Sequence, residues 1–157
     1  MASRSVLLID DTPDVRALVR RALERSGGLE VVAEAGDGSA GVDAAREHQP
    51  DVVLLDIAMP VMDGLEALPL IREALPDATV IMLSGFGADL MVDSALRSGA
   101  DGYIQKGRPL KELVSIVHQL MNAPRDQGGG SDGPTGLFPL LRGLVSPPPR
   151  RAQVWCT

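Results

Sequence analysis

Val52-Val53-Leu54-Leu55-Asp56 is an apolar run that stops in a carboxylate, and Ile57-Ala58-Met59-Pro60 followed by Met62-Asp63-Gly64 turns the chain directly after it. A second run, Val6-Leu7-Leu8-Ile9, ends the same way in Asp10-Asp11. Apolar runs this short, bounded by turn residues, read as strands buried on both faces of a parallel sheet. The carboxylates then sit just past the carboxyl ends of two strands, the edge on which open α/β sheets carry their chemistry.

Outward from these two runs, strands and helices alternate. Residues 5–9 read as a strand, and Thr12 as N-cap with Pro13 at the first helical position opens a helix to about Ser26, which Gly27-Gly28 stops. Residues 30–34 form a second strand, and helical periodicity runs through residues 39–48 up to Pro50. Residues 52–55 are strand three, 65–75 a helix, 79–83 strand four, and 88–98 a helix capped by Gly99. Residues 102–104 are strand five and 110–121 the last helix. Pro69 falls inside the third helix, where a missing N–H and a ring clash predict a kink or a late start. Five strands and five helices joined by short connections define an α/β chain, and the expected architecture is a flavodoxin-like doubly wound parallel sheet of order 2-1-3-4-5. In that order strands one and three are neighbours, so Asp10-Asp11 and Asp56 converge.

Composition supports this class. Of the 157 residues 45% are apolar but only 3% aromatic, so the core must be built from Val, Leu, Ile, Ala and Met. No apolar stretch approaches the roughly 18 residues of a membrane span, and no signal segment is evident; a cytoplasmic protein without membrane contact is expected. The single Cys156 excludes an internal disulfide and a multi-cysteine metal site. Residues 1–122 carry 11 Lys/Arg against 19 Asp/Glu, while 123–157 carry 4 against 2. A body that acidic repels phosphate backbones, so direct nucleic-acid binding is not expected. Residues 123–157 change character, with Gly128-Gly129-Gly130, Pro147-Pro148-Pro149 and a short apolar patch around Phe138 and Leu141. They read as a disordered or docking tail, with Trp155 as a possible anchor, following a domain at 1–122.

Three carboxylates within a few ångströms repel by roughly 2 to 4 kcal/mol per pair at an effective dielectric near 20, unless a cation shares the site. A hard divalent ion is implied, and few protein ligands in a water-open site favour Mg²⁺ over Ca²⁺. Capping of the next helix by Asp10 and Asp11 is the simpler reading of that pair, but it leaves Asp56 unexplained. Ser84 ends strand four and Lys106 follows strand five, so a hydroxyl and an ammonium reach the same rim. Metal, hydroxyl and ammonium together can hold phosphoryl oxygens while Asp56 attacks phosphorus in line. No Walker loop, dinucleotide fingerprint or nucleophile elbow is present, and His48 and His118 stand alone.

Leu8-Ile9-Asp10-Asp11, Leu54-Leu55-Asp56-Ile57-Ala58-Met59-Pro60 with Met62-Asp63-Gly64, Leu83-Ser84-Gly85, and Gly99-Ala100-Asp101-Gly102-Tyr103-Ile104-Gln105-Lys106 together resemble the receiver domain of two-component response regulators, most closely the NarL/FixJ type. The resemblance covers residues 5–122. It implies that Asp56 is the phosphoacceptor, served by a sensor histidine kinase or a histidine phosphotransfer protein, with slow hydrolysis of the product. It implies Mg²⁺ held by Asp11, Asp56 and the Ala58 carbonyl, with Asp10 acting largely through a bound water. Ser84 and Lys106 would each meet a phosphoryl oxygen, and Tyr103 would be the switch aromatic that turns inward as Ser84 moves. The output face would be built from the fourth helix, strand five and the last helix, with Leu90 and Met91 as contributors, in a monomer or a phosphorylation-dependent homodimer. Lys106 is followed by Gly107 where the family often has Pro, so no cis bond is expected there.

Two rivals follow from the same residues. One is a NarL-type transcription regulator lacking its helix-turn-helix, which about 35 Gly/Pro-rich tail residues cannot supply. The other is a Mg²⁺-dependent small-molecule phosphohydrolase. Such an enzyme generally needs a second acid two residues past the nucleophile, and Ala58 stands there.

Overall fold

The computed structural model describes residues 2–85 and 89–123, with side chains omitted at Asp89 and Leu90. The elements run β1 (Arg4–Ile9), α1 (Pro13–Ser26), β2 (Leu29–Ala35), α2 (Gly38–His48), β3 (Val52–Asp56), α3 (Gly64–Ala74), β4 (Thr79–Ser84), α4 (Asp89–Arg97), β5 (Gly102–Gln105) and α5 (Leu110–Asn122). All neighbouring strands pair in parallel in the order β2-β1-β3-β4-β5, as the alternating pattern predicts. The expected tail at 123–157 and its anchor Trp155 lie, apart from Ala123, outside the described residues.

Burial explains why the central strands read as continuous apolar runs. Every residue of β3 and β4 is buried, since helices cover both faces of the sheet. Leu7, Ile9, Val53, Leu55, Val80 and Met82 point to one face, where Ala45 of α2, Leu68 and Ile71 of α3 and Ala95 of α4 pack on them. Leu8, Leu54 and Leu83 meet Val15 and Val19 of α1 on the other face. Leu120 of α5 presses on Gly102 of β5, leaving no room there for a side chain. The edge strand β2 alternates buried and exposed positions, as a strand flanked on one side only should.

Register sets the height of the functional residues. Leu8 pairs with Leu54 and Ile9 with Leu55, so Asp10 and Asp56 leave their strands side by side. Asp56 pairs with Leu83 and Ser84 with Gln105, which brings Ser84 and Lys106 to the same edge.

Three local expectations are modified. Thr12 occupies the N-cap position of α1 but makes no side-chain cap; the Asp10 carboxylate instead accepts the Thr12 N–H at 2.8 Å. α3 starts at Gly64, earlier than expected, because Asp63 and Glu66 close a capping box, each side chain accepting the other's backbone N–H at 2.8 and 3.1 Å. The helix therefore continues through Pro69 without a late start, and Pro69 is exposed. All described peptide bonds are trans, Lys106–Gly107 included.

At the amino end of the sheet, away from the carboxylates, Arg72 of α3 clamps two loops. Its guanidinium donates to the Ala78 carbonyl at 2.7 Å, to the Gly99 carbonyl at 2.5 and 3.0 Å, and to Asp101 Oδ2 at 2.8 Å. The same Asp101 oxygen accepts the Val80 N–H at 2.8 Å. Hydrogen bonds to charged groups are worth about 1.5–3 kcal/mol, so Arg72→Ala is expected to lower unfolding free energy by about that much in urea titration. The carboxylate cluster at the opposite end should be untouched, and a loss below about 0.5 kcal/mol would show that the clamp is not a stabilising element.

Candidate functional site

Each acid owes its place to a strand end. Asp10 continues β1, donating its N–H to the Ala35 carbonyl at 3.0 Å, and Arg16 of α1 grips its carbonyl at 2.5 Å. Asp56 is the last residue of β3 and is only 2% exposed. Asp11 is exposed at the mouth. Oxygens of Asp10, Asp11 and Asp56 lie within 4.8 Å of one another. The convergence expected from topology is present.

Lys106 reaches the same point from β5. Its N–H donates to the Ser84 carbonyl at 2.5 Å, fixing the start of the side chain, and its ammonium sits 2.6 Å from Asp10 Oδ2 and 2.8 Å from Asp56 Oδ2. A single cation thus bridges the two buried carboxylates and leaves Asp11 uncompensated.

The electrostatics follow from this crowding. Burial pushes the Asp56 carboxyl above its ordinary range; the Lys106 hydrogen bond opposes the rise, and the charges of Asp10 and Asp11 add to it. Burial also disfavours the Lys106 ammonium, but the hydrogen bonds and charges of Asp10 and Asp56 outweigh it and hold this amine above the usual lysine value. Its contribution to stability is therefore complete below the unfolded lysine pKa and is lost only as pH rises through the higher folded value.

The donor set fits a divalent cation. Two buried carboxylates that share one ammonium, beside a third acid that leaves one side open through Asp11, form the all-oxygen environment that suits Mg²⁺. Ala58 is exposed on the loop just past Asp56. That loop is held by the Ile57 N–H on the Leu83 carbonyl at 3.0 Å and by the Gly64 N–H on the Ile57 carbonyl at 2.8 Å.

The two remaining residues lie on the neighbouring strands. Ser84 is buried, and its hydroxyl donates to the Gly85 carbonyl at 2.9 Å. Tyr103 is also buried, with a hydroxyl that has no hydrogen-bond partner among the described residues. On the expected output face Met91 is 44% exposed, while the side chain of Leu90 lies outside the described residues.

Some supporting residues escape a sequence reading. Arg16 is one of four arginines on α1, with nothing in its spacing to mark the Asp10 carbonyl as its target. Gly64 looks like part of a turn, yet a methyl group on it would overlap the Asp56 carbonyl oxygen. The Asp-Gly pair at 63–64 and the glutamate at 66 were the available signals.

A doubly wound sheet with an acid cluster and a bridging lysine at its carboxyl edge defines a phosphoacceptor class of α/β domain. Residues 6–118 match the family model described as response regulator receiver domain, and the chain belongs to that family. It is 37% identical over 122 residues to the chemotaxis protein CheY of Bacillus subtilis, covering 78% of this chain and all of that protein. It is 36% identical over 115 residues to the nitrate/nitrite response regulator protein NarL of Escherichia coli, covering 73% of this chain and 53% of the relative. The receiver domain of the putative response regulator NarL from Mycobacterium tuberculosis superposes with a TM-score of 0.73 at 36% identity, covering 79% of this chain and all of that one. The chain thus spans the full length of one relative and about half of another. No helix among the described residues is long and apolar enough to cross a membrane.

Because burial raises the Asp56 pKa, the stability linked to this group is present below the unfolded carboxylate value of about 4 and is lost as pH rises through the folded value. Asp56→Asn is expected to raise the urea midpoint over wild type near pH 7 and to leave it nearly unchanged near pH 3. An equal gain at both pH values would contradict the assignment of the strain to a buried charge.

Proposed function

We propose that Asp56 accepts the phosphoryl group of a phosphohistidine carried by a sensor histidine kinase or a histidine phosphotransfer protein, and that Ser84 and Tyr103 convert the event into a new surface. Phosphoryl acceptance is the function of the receiver family to which the chain belongs. The assignment to Asp56 rests above all on the Lys106 ammonium lying between Asp10 and Asp56 at 2.6 and 2.8 Å, with Asp56 buried at the strand end.

A carboxylate oxygen of Asp56 forms the O–P bond as the P–N bond of the phosphoimidazole breaks, and the electron pair of that bond returns to the ring nitrogen. Asp11, Asp56 and the Ala58 carbonyl would hold Mg²⁺, with Asp10 acting through a water, and the ion supplies charge neutralisation to the phosphoryl oxygens. Lys106 exchanges its contact with Asp56 for a phosphoryl oxygen, a short move because its ammonium is already at the reacting carboxylate. The Ser84 hydroxyl leaves the Gly85 carbonyl to donate to another oxygen. Tyr103 responds to the move of Ser84, and its buried hydroxyl has no hydrogen bond among the described residues to give up. The affected face comprises α4, β5 and α5, where Met91 and Leu110 are exposed. This chemistry lies within residues 1–122, and residues 123–157 are assigned no part in it. Residence in the cytoplasm and switching between monomer and homodimer belong to the same proposal.

Intact mass after incubation with acetyl phosphate and Mg²⁺ tests this reading. Wild type is expected to gain one phosphoryl group and Asp56→Asn none. Labelling of the variant to the wild-type extent would remove Asp56 from its role, and steady turnover of a chromogenic phosphate monoester would favour a phosphohydrolase instead.

A further inference from the structure

The loop between β3 and α3 carries Ala58 and is confined at three points. At its far end Gly64 packs directly on the Asp56 carbonyl, and the Asp63–Glu66 capping box fixes the helix start. In between, Val61 holds φ at +68° and is 85% exposed. A β-branched residue in the left-handed region is strained, so the loop is held there by its surroundings and not by its own preference. The third contact comes from another element. Gly38, at the start of α2, donates its N–H to the Met62 carbonyl at 3.0 Å, next to the strained residue.

Gly38 has no backbone need to be glycine, for its φ lies outside the left-handed range and it opens a helix, where alanine is intrinsically favoured. What excludes a side chain is the loop itself. A Cβ on Gly38 would lie 2.5 Å from the Met62 carbonyl oxygen and 2.9 Å from Met62 Cγ. The Met62 oxygen is backbone and the flanking Val61 is already strained, so a side chain on Gly38 bears directly on the loop that carries Ala58.

We propose that Gly38 is a positioning residue for the cation and phosphoryl site, setting the β3–α3 loop through its close contact with Met62. The inference rests on the reading of Asp56 and the Ala58 carbonyl given above. Gly38 touches neither the acids nor a substrate; it acts through the loop. Residues that orient metal ligands from behind typically alter affinity roughly 10- to 100-fold when changed.

Gly38→Ala is therefore expected to raise the Mg²⁺ concentration for half-maximal acetyl phosphate labelling by roughly tenfold. The maximal extent at saturating Mg²⁺ should approach wild type, and the melting temperature without Mg²⁺ should fall modestly, because the backbone contact at 2.5 Å must open. Titration calorimetry with Mg²⁺ alone should show the same loss of affinity without any reaction. Gly36→Ala is the control, because a Cβ there meets only Arg16 Nη1 at an ordinary 3.7 Å, and it should keep the wild-type Mg²⁺ midpoint. A Gly38→Ala midpoint equal to that of Gly36→Ala overturns the proposal. Should Gly38→Ala not fold, the wild-type amide resonance of Gly38 decides: it must shift along the Mg²⁺ titration while that of Gly27 does not, and a silent Gly38 at saturation overturns the inference. If wild type itself is not labelled, it is the reading of Asp56 that fails.

Discussion

Like charge in a confined space is the constraint from which the rest of this molecule follows. Three carboxylates gather at one edge of the sheet because register delivers them there, and the fold tolerates them only because the Lys106 ammonium stands between the two that are buried. One positive charge against three negative ones leaves an unbalanced remainder, which adds to the burial that chiefly raises the Asp56 pKa. The site is thus held together by one side chain with a long stem, a quarter of it exposed. Under the proposed function, a divalent cation held by these acids offsets that remainder.

The parallel sheet was legible because Val52–Leu55 and Val6–Ile9 are apolar at every position, which only strands covered on both faces require. The strand order followed from the alternation of elements, and from it the meeting of Asp10, Asp11 and Asp56. Ser84 and Lys106 were legible by their places just after strands, though the bridging of two carboxylates by one ammonium was not, since side-chain reach has no trace in spacing. Boundaries moved by a residue or two wherever polar groups extend an element, as with Asp56 at the end of β3 and Gly64 at the start of α3.

Other features were hidden for a common reason. Thr12 has the residue type and position of an N-cap, but the Asp10 carboxylate two residues earlier takes its N–H, a competition that propensity does not resolve. Arg16, Gly38 and Gly64 act on backbone carbonyls of residues 6 to 24 positions away, and a carbonyl looks the same whatever side chain it belongs to. Val61 is more telling, since nothing in its identity announces a left-handed backbone. The Met62 N–H on the Pro60 carbonyl at 2.8 Å closes a tight turn around it, a bond that residue type does not announce.

The Arg72 clamp divides the sheet into two ends of different mechanical character. Six donor contacts from one guanidinium fasten the incoming ends of β4 and β5 to α3, whereas the outgoing ends terminate in a hydroxyl turned to its neighbour's carbonyl and a lysine in a solvent-open cleft. The sheet is thus built like a cantilever, clamped at its amino edge by one guanidinium and free of any comparable clamp among the described residues at the edge that carries the acids.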